Sequence, residues 1–206
     1  MEAFLQQFLE GIVHTTTLEY LAVFAGIASV WLSKKEHILV YPVGLINTII
    51  YVWLSLEAHL LGEASVNFYY TIVSIYGWIV WSRKDAQQQH ILRVRYSTRK
   101  EWMYQLIFFL SCYFLLWMAL RALKENFTPG AIPWADAFAS ATAYTGMWLM
   151  TRKKVESWIW WMLTNIASIP LYYSKGFVFT SVYYVVLLFI AWFGWMEWRK
   201  KAASEG

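Results

Sequence analysis

Apolar residues dominate seven stretches of the chain, and short polar segments separate these stretches. They run approximately over 18–33, 38–56, 64–82, 102–120, 134–150, 157–173 and 177–196. A helix needs about 20 residues, with a range of 17 to 25, to cross the hydrocarbon core of a bilayer. The pattern therefore predicts an all-α, polytopic membrane protein with seven transmembrane helices, the first of which begins near Thr15.

The N-terminal residues follow a different pattern. Over residues 2–15, polar side chains alternate with apolar ones that share one helical face. These apolar residues are Phe4, Leu5, Phe8, Leu9 and Ile12. Such a segment is too short and too polar to span a bilayer, so residues 1–16 are predicted to form an amphipathic helix on the membrane surface.

The second half of the chain repeats the first. Stretches 1, 2 and 3 align with stretches 5, 6 and 7, and stretch 4 has no counterpart. The aligned pairs include Trp31 with Trp148 at an offset of 117, Asn47 with Asn165 at 118, and Trp81 with Trp195 at 114. Because one extra crossing restores the direction of the chain, the two three-helix units are predicted to be parallel repeats about an axis along the membrane normal, as in SWEET-type transporters.

This 3+1+3 arrangement divides the chain into five segments. The surface helix occupies 1–16 and the first repeat 17–84. A basic loop and the linking helix follow at 85–130, and the second repeat and a tail occupy 131–200 and 201–206. Transporters of this architecture hold their solute near the middle of the membrane, between the repeats.

Composition and charge set the location and the orientation. The chain is 59% apolar and only 15% charged, whereas soluble domains carry about 25% charged residues. Of its 17 Lys and Arg residues, only Arg121, Lys124 and Lys175 fall on one predicted side of the membrane. Since basic residues favour the cytoplasmic side, the N-terminus is predicted outside and the C-terminus inside. The same rule explains the net charge of +4 without a nucleic-acid partner, and the basic stretch 83–100 is interpreted as an inner loop.

The patterns that several other functions require are missing from the sequence. A single Cys, Cys112, excludes an internal disulfide and a Cys-based metal site. The four His residues are scattered over helix ends and loops, so no metal cluster is predicted. The sequence contains no Walker motif, so transport driven by ATP is not expected. It also places no ionisable residue near the middle of a stretch, where a proton relay would need one. An enzyme, a metal and a cofactor are therefore not expected.

A polar stripe follows one face of the sixth stretch. Its members, at helical spacing, are Trp158, Trp161, Asn165, Ser168 and Tyr172. An amide at membrane depth needs a partner, because hydrocarbon supplies none. The partner is either a flat polar solute or another helix, and a lone Asn fits both.

Other stretches offer matching candidates. They are Asn47 and Tyr51 in the second stretch, Asn67 and Tyr70 in the third, and Tyr184 in the seventh. Because Asn47 and Asn165 align in the repeat, we expect them to approach each other across the axis and to offer donors and acceptors to a solute from both sides.

Residues near the helix ends have simpler interpretations. Five Trp residues are assigned to the aromatic belts of the membrane surfaces, namely Trp31, Trp81, Trp102, Trp195 and Trp198. Glu19 and Asp136 lie near the starts of the first and fifth stretches, which begin on the predicted outer side of the membrane. We interpret them as carboxylates favoured by the helix dipole, the alternative being a pair of external attractors for a cation.

Several motifs together resemble the PnuC family of vitamin transporters. The motifs are Trp158-x-x-Trp161-x-x-x-Asn165, Asn67-x-x-Tyr70, and Tyr76-Gly77-Trp78-x-x-Trp81 within the 3+1+3 layout. The resemblance covers about 17 to 200. It implies a bacterial inner-membrane carrier for nicotinamide riboside, or for thiamine, riboflavin or a deoxynucleoside in related members. It also implies facilitated diffusion, trapping of the solute by a cytoplasmic ribosylnicotinamide kinase, and a homotrimer.

This substrate suggests roles for the candidate residues. A pyridinium ring over Trp161, with Tyr184 or Tyr51 on its other side, gains about 2 kcal/mol when desolvated. The side-chain amides of Asn47, Asn165 and Asn67 can form hydrogen bonds with its carboxamide and its ribose hydroxyls. The expected substrate-binding set is Trp161, Asn165, Asn47, Tyr51, Asn67, Tyr70, Tyr184 and Trp158. A carboxylate is not needed in this interpretation.

Two alternatives stay open. A sugar carrier of the SWEET type also uses Asn and Trp, although facing aromatic side chains favour a heteroaromatic vitamin. A membrane scaffold or sensor, in which the Asn residues only join helices, requires no solute at all.

Overall fold

The structure is a computed structural model and describes residues 16–57, 61–84, 91–123 and 130–204. The predicted surface helix over 1–16 lies outside these ranges except for its last residue. The described chain forms seven helices: α1 (Thr17–Lys34), α2 (Val40–Glu57), α3 (Leu61–Ser82), α4 (Arg99–Leu123), α5 (Pro133–Thr151), α6 (Ser157–Ser174) and α7 (Val178–Ser204). The all-α prediction is confirmed, and one helix end differs by more than three residues from its predicted position.

That end belongs to α7, which continues to Ser204. Residues 197–204 contain strong helix formers and no Gly or Pro, so nothing in the local sequence stops the helix at the membrane surface. The segment predicted as a tail from residue 201 therefore begins as the last turn of α7.

The predicted helix-start carboxylates occupy those positions. The Thr16 hydroxyl accepts a hydrogen bond from the backbone N–H of Glu19 at 3.2 Å, and the Glu19 carboxylate accepts one from the backbone N–H of Thr16 at 2.7 Å. This reciprocal pair is a capping box. At α5, which begins with Pro133, the Asp136 carboxylate accepts from the backbone N–H of Ile132 at 2.6 Å.

Large apolar side chains cover the outside of the molecule. Phe24, Trp53, Leu115 and Phe189 are between 60% and 69% exposed. By length and composition, α2, α4 and α7 qualify as membrane spans. An apolar surface of this extent suits hydrocarbon rather than water.

The helices pack as two groups of three. Helices α1, α2 and α3 contact one another in sequence, as do α5, α6 and α7, and the contacts of α1 with α7 and of α3 with α5 join the two groups. We call these groups the first and second bundles. Helix α4 packs against α5.

The two ends of the molecule differ in charge. Helices α1, α3, α5 and α7 finish together, where the Trp198 indole donates to the Lys34 carbonyl and the Trp81 indole to the Thr151 carbonyl, both at 3.1 Å. Because Lys34, Arg83, Arg152 and Arg199 lie there, we call this the basic end. The same four helices start at the other end of the molecule, which we call the opposite end.

Contacts at the basic end recur at one sequence offset. Tyr41 packs edge-on against Trp81 with ring centroids 5.2 Å apart, and Trp158 packs edge-on against Trp198 at 5.5 Å. Tyr41 also lies against Gly77, and Trp158 against Gly194. Each residue of the second bundle is 117 positions after its counterpart in the first, the same separation that joins Glu36 to Lys153.

Two residue pairs connect equivalent positions directly. The Ser33 hydroxyl lies 3.0 Å from the Met150 sulfur, and the Lys153 ammonium lies 2.9 Å from the Glu36 carboxylate, each pair being separated by 117 residues. Glu36 and Lys153 also share a positive φ, of 55° and 50°. In a protein built of two symmetric copies, a residue contacts its own equivalent only where the copies meet, so these pairs are those expected for the predicted repeat, which stays a prediction.

This register changes two of the predicted alignments. Since α2 and α6 are continuous helices, the offset of 117 cannot become 118 within them. Asn47 then corresponds to Thr164, and Asn165 to Thr48. In α3 and α7, the offset of 117 pairs Trp81 with Trp198, whereas the predicted offset of 114 paired it with Trp195. Within the described ranges no hydrogen bond joins the two Asn residues, so their expected approach across the axis stays a prediction.

The assignment of Trp81 and Trp198 to the aromatic belt is wrong. Their side chains are 3% and 0% exposed, whereas Trp31 is 46% exposed, as a belt residue would be. Both buried indoles donate to carbonyls of the other bundle, which a position near a helix end does not reveal.

The predicted inner loop is ordered where it precedes α4. Arg95 exchanges backbone hydrogen bonds with Lys153 and Val155 at 3.1 and 3.2 Å, and Ser97 donates to the Glu156 carboxylate. These contacts attach the segment to the connection between α5 and α6, and hence to the second bundle.

Candidate functional site

Aromatic and polar side chains converge between the two bundles, nearer to the end of the molecule that lies opposite the basic end. Tyr70 contacts Trp161 there, and Glu63 and Tyr184 both contact Tyr172. We call these residues, together with the predicted residues Tyr51 and Asn165, the interbundle site. Residues of α3 face residues of α6 across it. The sequence had predicted all of these except Glu63 and Tyr172 as substrate-binding residues, and Tyr172 as part of the α6 stripe.

Trp161 links three helices at this site. Its ring lies over Gly146 of α5, where an added Cβ would approach the ring atoms to 3.4 Å. Its centroid is 5.8 Å from that of Tyr70 on α3, with the ring planes inclined by 56°. The two tilted rings thus meet across the boundary between the bundles.

Asn165 lies one turn further along the same face of α6. Its side chain is only 3% exposed, and in the part of the chain that the structure describes no hydrogen bond joins its amide to another group. The neighbouring Thr164 makes the contact between helices instead, with its hydroxyl 3.0 Å from that of Thr142. The donors and the acceptor of this amide are not used within the described chain, and its predicted contact with a solute stays a prediction.

The other two Asn residues are partly occupied. The Asn47 amide donates to the Ala22 carbonyl at 2.7 Å, which ties α2 to α1 beside Gly26. The Asn67 amide donates to the Glu63 carbonyl of its own helix at 3.0 Å. Each keeps its side-chain oxygen, and a ligand role for either stays a prediction.

A carboxylate that the sequence interpretation left out completes the site. The Tyr172 hydroxyl donates to the Glu63 carboxylate at 3.0 Å, and the Tyr172 ring stacks on Tyr184 with centroids 5.2 Å apart. The pattern of apolar residues predicts that the third stretch begins at residue 64, which places Glu63 in a loop. The signal was present, because Glu63 lies four and seven residues before Asn67 and Tyr70 on one helical face.

Trp158 lies below this site, toward the basic end. It is 0% exposed and its indole N–H has no hydrogen-bond partner among the described residues. Its ring packs on Gly194 and Trp198. The structure thus brings Trp158 into an aromatic core about one helical turn from Trp161, and its predicted contact with a solute stays a prediction.

The basic end is closed by two layers. The inner layer is the aromatic core, which contains Tyr41, Trp81, Met150, Trp158 and Trp198. The outer layer is ionic: the Glu36 carboxylate binds the ammonium groups of Lys153 at 2.9 Å and Lys201 at 2.8 Å. Since Lys153 belongs to the α5–α6 connection and Glu36 to the α1–α2 connection, the ionic layer joins the bundles.

The ionic layer predicts a pH-dependent stability. Burial opposes ionisation of Glu36, but hydrogen bonds from Lys201 and Lys153 outweigh it and hold the pKa of its carboxyl below its usual value. A lowered pKa in the folded state stabilises the protein above the unfolded pKa, about 4.3, and this contribution is lost as the pH falls through the folded pKa. Glu36→Gln should therefore lower stability at pH 7 by about 1.5–3 kcal/mol. The thermal unfolding curves of variant and wild type should approach each other as the pH falls from about 4.3 and coincide below the folded pKa.

Glu197→Gln is the matched control. Glu197 pairs with Lys34 at 3.4 Å, and its side chain is 34% exposed, so its removal should change stability by at most about 1 kcal/mol. A constant difference between Glu36→Gln and wild type from pH 7 to pH 3 would contradict the assigned role of the carboxylate.

The chain matches a family model along most of its length. The model describes the nicotinamide mononucleotide transporters, and it matches residues 16–200.

Individual relatives agree with that match. The chain is 24% identical to the nicotinamide riboside transporter PnuC of Escherichia coli over 92% of this chain and 87% of that protein. It is also 24% identical to the riboflavin/roseoflavin transporter RibM of Streptomyces davaonensis over 87% of this chain and 83% of that protein. A crystal structure of the vitamin B3 transporter PnuC shares the fold, with a TM-score of 0.76 and 20% identity over 98% of this chain and 91% of that one.

Proposed function

The chain belongs to the nicotinamide mononucleotide transporter family, which confirms the resemblance found in its motifs, and we propose that it carries nicotinamide riboside across the bacterial inner membrane. Family and relatives are transporters rather than enzymes, and the apolar surface of the molecule is that of a membrane protein. The observation that carries the proposal is the pair of adjoining rings, Trp161 and Tyr70, with the buried side chain of Asn165 one turn further along α6.

This arrangement suits the chemistry of nicotinamide riboside. Its pyridinium ring is flat and cationic, and a desolvated cation over an aromatic face gains about 2 kcal/mol. Its carboxamide offers one acceptor and two donor hydrogens, which Asn165 can match with a donor and an acceptor of its own. The oxygens of Asn47 and Asn67 accept hydrogen bonds from the ribose hydroxyls in this proposal.

The proposed architecture is two parallel three-helix repeats joined by α4, all seven helices crossing the membrane. Contacts that recur at an offset of 117 support the repeat, and the contact of α4 with α5 supports a linking role. Because most Lys and Arg residues lie at the basic end, that end is cytoplasmic, with the N-terminus in the periplasm and the C-terminus inside.

The closed basic end fits alternating access. A solute on the interbundle site meets the aromatic core of Trp158 and then the Glu36–Lys153 pair on its way to the cytoplasm. Release requires the bundles to part there, which breaks contacts that join equivalent positions. As the family resemblance implies, a cytoplasmic ribosylnicotinamide kinase then traps the solute, and the protein works as a homotrimer.

Transport should need no coupling ion. The membrane potential moves a monovalent cation inward by about 2.3 kcal/mol per 100 mV, which corresponds to about 50-fold accumulation. Purified protein in liposomes should therefore accumulate labelled nicotinamide riboside in proportion to an imposed inside-negative potassium diffusion potential. The measurement is uptake at a series of potentials with equal Na⁺ and pH on both sides.

Ionophores provide the control. Collapse of the potential should reduce accumulation to equilibration and leave the exchange of labelled for unlabelled solute intact. Uptake that appears only with an imposed Na⁺ or H⁺ gradient would refute uniport.

A second substrate is favoured by one observation, the similarity to a riboflavin/roseoflavin transporter across most of the chain. Riboflavin is also flat and carries hydroxyls, but its ring has no fixed positive charge. Calorimetric titration with nicotinamide riboside, nicotinamide, thiamine and riboflavin separates the candidates, and a sugar tests the SWEET-type alternative. Binding of the riboside alone supports the main proposal.

A further inference from the structure

We propose that Glu63 makes the interbundle site selective for cations, so that a positively charged pyridinium ring is preferred over a neutral ring of the same shape. This inference rests on the proposed function and names the feature of the solute that the site reads. The substrate-binding residues predicted from the sequence include no carboxylate.

Glu63 is part of the site by geometry. It lies in the first turn of α3, on the face that carries Tyr70 two turns deeper, about 10 Å along the helix. Its carboxylate binds the hydroxyl of Tyr172 on α6, in the other bundle, at 3.0 Å. Tyr172 in turn stacks on Tyr184, so the carboxylate borders an aromatic surface on the path between the opposite end and Trp161.

The charge of Glu63 is not neutralised by a basic side chain. In the ranges 16–57, 61–84, 91–123 and 130–204, no Lys or Arg forms an ion pair with it. Lys175, whose charge acts on Glu63, has its ammonium bound to the Asp136 carboxylate. Lys175 and Asp136 compensate each other, so a cation that enters the site meets a carboxyl group without an ion-pair partner among the described residues.

An enclosed carboxylate of this kind favours a cationic solute. Removal of an ion from water is costly unless an opposite charge or several hydrogen bonds compensate. Among the described residues, the Glu63 carboxylate has one hydrogen bond, from the neutral phenol of Tyr172. A pyridinium cation bound at Trp161 brings an opposite charge into the same site, and the ring faces of Tyr172 and Tyr184 attract the same cation. A neutral ring contacts the same aromatic faces but leaves the carboxylate uncompensated.

The test uses two ligands that differ chiefly in charge. Nicotinamide riboside has a cationic ring, and its dihydro form has a neutral ring of nearly the same shape with the same carboxamide and ribose. Calorimetric titration of the purified wild type should show at least about tenfold tighter binding of the cationic form. Glu63→Gln should weaken that form by about 10- to 100-fold and the dihydro form by less than about threefold.

Two further variants make the result specific. Glu63→Asp keeps the charge and should restore most of the preference, and Glu57→Gln removes an exposed carboxylate at the same end of the molecule and should have no effect. The melting temperature of each variant verifies that it is folded.

The outcomes separate the two proposals. Equal weakening of both ligands by Glu63→Gln, equal effects of Glu57→Gln and Glu63→Gln, or equal binding of both ligands by wild type would overturn charge selection while the transport proposal stands. Failure of wild type to bind either ligand would overturn both.

Discussion

Trp161→Ala should weaken the binding of nicotinamide riboside by at least about 30-fold, because a desolvated cation–π contact contributes about 2 kcal/mol. The indole lies over Gly146 and faces Tyr70 across the bundle boundary at 5.8 Å. Its loss removes one wall of the site and admits water to the ring. Calorimetric titration of purified protein measures the change directly.

Trp53→Ala is the matched control for this experiment. Trp53 is 60% exposed on the lipid-facing side of α2, so its removal should leave the affinity unchanged. An unaltered affinity in folded Trp161→Ala protein would show that the solute binds elsewhere.

A comparison of two amides extends the same test. Asn165→Ala should reduce riboside affinity by about tenfold or more with little change in stability, because the amide has no partner to lose within the described chain. Asn47→Ala removes a hydrogen bond to Ala22 and should also lower the melting temperature. The reverse result, in which Asn165→Ala disturbs folding and spares binding, would assign Asn165 to helix packing.

The second large effect concerns stability at the aromatic core. Gly194→Ala should destabilise the protein by about 1–3 kcal/mol, the usual cost of overpacking. A Cβ at this position would come within 2.6 Å of the ring of Trp158, which is fully buried and cannot move aside. Gly77→Ala should act in the same way, because Gly77 is packed against Tyr41. Thermal unfolding in detergent, followed by intrinsic fluorescence, measures both changes.

Gly44→Ala is a control for which we expect a change in stability of the opposite sign. Gly44 also lies inside a helix, but a Cβ there would meet Ser29 at an ordinary 3.6 Å. Since Ala forms helix better than Gly by about 1 kcal/mol, this substitution should stabilise the protein. Similar gains for all three variants would mean that the aromatic core is loosely packed.

Much of the fold could be predicted because its causes are local. Apolar length decides which segments can be helices in a membrane, and turn residues decide where they end, so six of the seven helices have both ends within three residues of the prediction. The end of α7 was misplaced because the prediction stopped at the last apolar residue, although helix propensity continues to Ser204.

The internal repeat stays a prediction, and the sequence alone could not fix its register. Aromatic residues are so frequent in α3 and α7 that several alignments pair Trp with Trp. The contacts of Trp81 with Tyr41 and of Trp198 with Trp158 select the offset. They also bury the indoles of Trp81 and Trp198. The positions of these residues near helix ends had suggested that they lie at the membrane surface.

The sequence by itself determined the class of protein, its seven helices, the family, and the stripe on α6 that carries Trp161 and Asn165. Helical spacing and hydrophobicity are properties of one segment at a time, so a single chain suffices to show them. Only the tertiary structure decided how the polar residues differ: Asn47 holds α1, Asn165 has no partner in the described chain, and Glu63 binds Tyr172 across the bundles. The physical reason is that the hydrogen-bond partner of a side chain within a membrane lies on another helix, and its position depends on how the helices pack.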